Sequence, residues 1–139
     1  ATSRLMIWTW SDSTGYVSNV SPALGFTTIK DAKWTHDDTA IVFTTTTYPY
    51  LKAYAWDNAT STLGAELSGT ATPSTTYGTN ISFNTAGDVV FVGMNNANLV
   101  EAYEFDSTTG FGSKYANPDL TGFPTNGPKC AGLDYKDFG

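Results

Sequence analysis

Ile81-Ser82-Phe83-Asn84-Thr85-Ala86-Gly87-Asp88-Val89-Val90-Phe91-Val92 decides the fold. It holds a short strand ending in an aromatic residue, a tight turn with a glycine, and a second strand that is apolar at successive positions. Alternation marks a half-buried strand, and a continuous apolar run of this length marks one covered on both faces. The same pattern occurs upstream as Ala32-Lys33-Trp34-Thr35-His36-Asp37-Asp38 leading into Ala40-Ile41-Val42-Phe43, and starts again at Cys130-Ala131-Gly132-Leu133-Asp134-Tyr135. Trp34, Phe83 and Tyr135 are separated by 49 and 52 residues.

A second series interleaves with the first. Leu5–Trp10, Leu51–Trp56 and Leu99–Phe105 each alternate apolar positions, end in an aromatic and run into a turn rich in Asp, Ser and Thr. Their closing aromatics, Trp10, Trp56 and Phe105, lie 46 and 49 residues apart. Two independent series with one period indicate an internal repeat. Each unit then holds four strands: a (Ile81–Phe83), b (Val89–Gly93), c (Leu99–Phe105) and d (Phe111–Ala116). Four short antiparallel strands at this period predict the blade of a β-propeller. The fold class is therefore all-β, with about three four-stranded blades forming a partial ring, or one protomer or fragment of a closed ring.

Composition agrees. Threonine is abundant, aromatics make up 14% and charged residues only 14% of the chain. Helix formers never gather at helical spacing. The expected division is strands c and d of a split blade in 1–18, complete blades in 19–68 and 69–116, and the first strand of a further blade in 117–139. Such an arc leaves raw sheet faces, which predicts closure by other copies of the chain or by the rest of a longer polypeptide. The missing last strand favours the longer polypeptide.

The pattern Phe-x-x-x-Gly-Asp before an apolar strand, then Ala-Tyr-x-Phe and Gly110–Pro118, resembles a WD-like propeller repeat. It is most similar to propeller repeats of tailed-phage structural proteins. The Gly-His pair of true WD repeats is absent. The resemblance implies the blade fold, a virion or extracellular setting, and no catalytic residue.

Net charge −6 argues against nucleic acid, and no apolar run is long enough to span a membrane. The single Cys excludes an intramolecular disulfide. Strand alternation places the b–c and d–a loops at one end of the blades. There Tyr48, Tyr50, Tyr77, Asn95, Asn96, Asn98 and Phe123 form a candidate ligand-binding face, with aromatic planes for stacking and amides for hydrogen bonds. His36 reads as a solvated turn residue, Asp12, Asp57 and Asp106 as turn caps, and Cys130 as a small buried hydrophobe. No metal site, cofactor or catalytic set is expected. The first functional reading is thus non-enzymatic: a virion or surface module contacting other subunits, virion proteins or a host glycan. The alternatives are a propeller hydrolase of the sugar-lactonase type and an intracellular WD-like scaffold.

Overall fold

The computed structural model describes residues 5–22, 24–26, 28–69, 77–95, 100–119, 133–134 and 136. These contain ten strands and no helix: β1 (Ile7–Ser11), β2 (Gly15–Val20), β3 (Ile29–Trp34), β4 (Ala40–Thr45), β5 (Leu51–Asp57), β6 (Thr62–Glu66), β7 (Gly78–Phe83), β8 (Val89–Met94), β9 (Val100–Asp106) and β10 (Gly110–Lys114). They form three antiparallel sheets in simple chain order: β1-β2, β3-β4-β5-β6 and β7-β8-β9-β10. The expected strands a to d of the two complete units are β3–β6 and β7–β10. Most of 117–139, where a further strand is expected, lies outside the described residues, and so does Cys130.

The apolar pattern explains the stacking. β4 is buried at every position, because the sheet presses both faces against neighbours. One cluster joins Val42, Leu51 and Ala53 of the second sheet to Ile81, Val90, Val92 and Tyr103 of the third. Another joins Leu5 and Ile7 to Ile41 and Phe43, tying the first sheet to the second. Where the second and third sheets meet, β7 lies against both β3 and β4. The approach there is close enough that a Cβ on Gly78 would overlap Val92 and Thr44.

Turn chemistry follows the sequence. Gly87 and Asp38 take positive φ (79° and 55°) at equivalent a–b turns. Asp57 accepts the amides of Ala59 and Thr60, and Asp106 those of Thr108 and Thr109. The Thr60 hydroxyl, which also donates to Asp57, together with these amides holds Asp57 below the usual carboxylate range, and the Thr109 and Thr108 amides do the same for Asp106. Asp12 differs. Ser11 occupies the register of Asp57 and Asp106, so the Asp12 carboxylate instead accepts the Trp10 indole N–H at 3.0 Å.

Strands also begin earlier than alternation alone indicates. In β3 the pairing register shifts between Ile29 and Asp31, and in β7 between Gly78 and Asn80. Each inner strand thus carries one bulged residue, Lys30 or Thr79, and pairing resumes before it.

Two polar triads repeat with inverted charge. In the second sheet Lys52 pairs with Glu66, which also accepts the Tyr54 hydroxyl at 2.9 Å. In the third sheet Glu101 occupies the Lys52 position, and Lys114 the Glu66 position, with Nζ to carboxylate 2.6 Å. Tyr103, equivalent to Tyr54, donates to Glu101 at 2.6 Å. Burial, reinforced by the hydrogen bond to Glu66 and that carboxylate's charge, pushes Tyr54 up to about 12. Burial and Glu101 raise Tyr103 in the same way. In the first sheet Met6, Trp8 and Asn19 stand at these positions, and Met6 and Trp8 are exposed.

Candidate functional site

The inner edges of β3 and β7 bring together the chemistry nearest the line on which the sheets converge. The Asp31 carboxylate spans two strands: one oxygen accepts its neighbour Ala32 N–H at 2.9 Å, the other the Ile81 N–H of β7 at 2.8 Å. Ile81 pairs with Val92 across β7 and β8, yet its N–H points away from β8 to Asp31. Asp31 therefore clasps sheet to sheet along the inner edge.

Bulges re-aim side chains and cluster beside functional sites. Here they stand at the equivalent positions Lys30 and Thr79. Lys30 is exposed, and its ammonium lies 5.5 Å from the centroid of the Tyr77 ring. Thr79 donates to the Asn80 side chain at 2.8 Å. Lys33 is a second exposed cation on β3. The inner edge so displays ammonium groups, an aromatic face and amide and hydroxyl groups in a protein of net charge −6.

The candidate face read from the sequence falls into parts. Tyr48 is 69% exposed and meets Tyr50 edge to face at 6.1 Å, on the β4–β5 loop. Tyr77 joins Lys30 at the start of the inner strands. Asn95, just past β8, buries its side-chain oxygen without a hydrogen-bond partner among the described residues, as Thr44 does its hydroxyl. Asn96, Asn98 and Phe123 lie outside the described residues. The sequence reading does not single out Lys30 or Asp31, and it marks Asn80 only as the acceptor of a glycosylation tripeptide, Asn80-Ile81-Ser82. The available signal was the 49-residue equivalence of Asp31 and Asn80, two hydrogen-bonding residues on strands otherwise read by their apolar positions.

The opposite end is a latch. His36 is exposed but not simply solvated. Its Nδ1 lies 3.1 Å from the Thr85 carbonyl of the next sheet, and its ring meets Phe83 edge to face. Ser107 donates to Asp37 across the same gap at 2.6 Å. That bond, with those from Thr35 and Thr39, holds Asp37 far below the usual carboxylate range. Among the described residues, no group of three or more His, Cys, Asp and Glu is placed to hold a metal ion. No helix among them is long and apolar enough to cross a membrane.

No protein-family model and no curated protein matches the chain. Solved structures do. Two crystal structures, each of a "putative 6-phosphogluconolactonase", superpose with TM-score 0.62. The Bacteroides fragilis protein is 14% identical over 80% of this chain, the Bacteroides uniformis protein 12% over 80%. The fold is β-propeller-like. The arc seen here spans 31% and 32% of those two proteins, about a third of their length. The likeness to WD-like repeats accordingly stands at the level of the blade fold, and the phage setting gains no support from these matches.

Proposed function

We propose that this chain is an arc of a β-propeller hydrolase acting on an anionic sugar lactone, and that β3 and β7 supply groups that bind its substrate. The observation that carries this reading is the re-aimed Lys30 beside Tyr77 on the inner edge, in a fold shared with two lactonase-type propellers. An ammonium is a compact point charge that attracts phosphate or carboxylate without demanding one orientation. The Tyr77 ring and the Asn80 amide offer an apolar face and hydrogen bonds for the sugar. Asp31, the carboxylate of the described inner strands, is committed to two backbone amides and holds the sheets together rather than acting as a base.

The test is hydrolysis of 6-phosphogluconolactone by the full-length polypeptide. Lys30→Ala should raise KM about tenfold, the loss of roughly 1.4 kcal/mol of substrate binding, with kcat little changed. Hydrolysis no faster than in buffer would remove the enzymatic reading. The exposed Tyr48–Tyr50 pair supports a second reading: a non-catalytic recognition face in a virion or extracellular assembly, contacting other subunits or a host glycan. Under that reading Tyr48→Ala weakens partner binding and leaves no enzymatic activity to lose.

A further inference from the structure

Strand β3 reads Ile29-Lys30-Asp31-Ala32-Lys33-Trp34. In a regular strand Lys30 would take the face opposite to Asp31 and Lys33. The bulge changes this. The register shifts between Ile29 and Asp31, and the Lys30 ammonium comes over the Tyr77 ring, just before β7. Asp31, the next residue, reaches the same sheet through the Ile81 N–H. Lys33 pairs with Val42, which clusters with Ile81 and Val90 of that sheet, and directly paired residues share a face. Lys30, Asp31 and Lys33 thus face the third sheet together.

Two ammoniums on one side of one strand repel each other, and this chain has carboxylates to balance them: 13 Asp and Glu against 7 Lys and Arg. Lys52 and Lys114 are each held in an ion pair. Lys30 and Lys33, both exposed, form none among the described residues. Asp31 stands between them in sequence, but its two oxygens are occupied by the Ala32 and Ile81 N–H groups. Lysine on an edge strand can serve merely to prevent wrong pairing. The inner edge of β7 argues against that role, because it carries the neutral residues Thr79, Asn80 and Ser82 at the three matching positions.

The spacing selects the ligand. Three residues of strand put the two lysine Cα atoms at most about 10 Å apart. A ligand with one anionic end engages one ammonium. A ligand with an anionic group at each end of a short hydroxylated chain lies along β3 and engages both.

We propose that Lys30 and Lys33 form a two-point site for a phosphorylated sugar acid, with the phosphate at Lys30 and the carboxylate at Lys33. This deepens the lactonase reading and rests on it for the identity of the ligand. In that reaction water adds to the lactone carbonyl and the ring C–O bond breaks. The ring oxygen leaves as a hydroxyl, and the new carboxylic acid loses its proton to solvent. The closed lactone has one anionic end and the open acid has two, so the site holds the product more tightly than the substrate.

Binding tests this without turnover. 6-Phosphogluconate and glucitol 6-phosphate, the same open chain with a hydroxymethyl in place of the carboxylate, are titrated into the full-length polypeptide by calorimetry. 6-Phosphogluconate should bind at least tenfold tighter. Lys33→Met should abolish that advantage and leave glucitol 6-phosphate binding unchanged, whereas Lys33→Arg, which keeps the charge, should retain it. Lys30→Met should weaken both compounds about tenfold. Equal affinity for the two compounds, equal weakening of both by Lys33→Met, or no binding of 6-phosphogluconate overturns the two-point site. If the lactone is still hydrolysed, any of those results removes this site and keeps the lactonase reading. Two-point binding without hydrolysis keeps the site and removes that reading.

Discussion

Lys114→Met should destabilise the fold by about 3–5 kcal/mol, because it takes the Lys114 ammonium away from a carboxylate buried inside the protein. Glu101 is 0% exposed, and the ion pair is 2.6 Å long. The Tyr103 hydroxyl remains as a donor to Glu101, but a neutral donor does not balance a buried charge. Urea unfolding measures the effect as a lower midpoint at similar slope. The second sheet suggests the control. There the same two positions carry Lys52 and Glu66, with Tyr54 in place of Tyr103. The swapped double variant, Glu101→Lys with Lys114→Glu, should therefore recover most of the loss. If Lys114→Met alone costs less than about 1 kcal/mol, the pair behaves like an exposed surface pair, and the buried-charge account is wrong.

Gly110→Ala should cost about 3–5 kcal/mol, from two sources that act together. Its φ of 96° lies beyond the left-handed well that a side chain can occupy. Its Cβ would also overlap the Ser68 carbonyl oxygen, which is backbone and cannot rotate away. Gly69 makes the reciprocal approach to Phe111, and Ser68 Oγ donates to the Thr109 carbonyl at 3.0 Å. The end of the second sheet is thus pressed onto the β9–β10 turn of the third. Gly25 separates the two effects. Its φ is 69°, and none of the described residues lies within 4 Å of where its Cβ would stand. Gly25→Ala should show strain alone, about 1 kcal/mol in thermal or urea unfolding. Equal losses for the two variants would show that the close approach contributes nothing.

The sheets were legible because the repeat is written in apolar spacing. Ala40–Phe43 and Val89–Val92 are continuous apolar runs of the kind that coverage on both faces favours; the first is buried throughout, while Val89 and Phe91 of the second are half-buried. Turns were legible where one residue type carries the geometry, as at Gly87, Asp57 and Asp106. Asp12 was misread because it sits one residue past the capping position, which Ser11 fills. Strand starts were read late because a bulge has no residue signature: Lys30 and Thr79 share a position but no chemistry. That also hid the candidate site, since the side chains re-aimed by the bulges lie on strands recognised by their other residues. The triads escaped because strand c and strand d exchange their charges between sheets, so no residue type recurs except tyrosine. Tyr77 was found by its aromaticity, but its partner Lys30 comes from the preceding unit, 47 residues away. Only the stacking of one sheet on the next brings them together.

That stacking, inner strand against inner strand, is what amide hydrogen exchange at Ile81 tests most directly. Ile81 is on the edge strand β7, and its N–H points away from β8. On an isolated sheet it would exchange with solvent at the rate of an open edge. Held by Asp31, it should be strongly protected in the native protein. In Asp31→Ala that protection should vanish while the Val90 and Val92 amides stay slow. Fast exchange at Ile81 in the native protein would mean that β3 and β7 do not meet, and the radial arrangement built on that contact would be wrong.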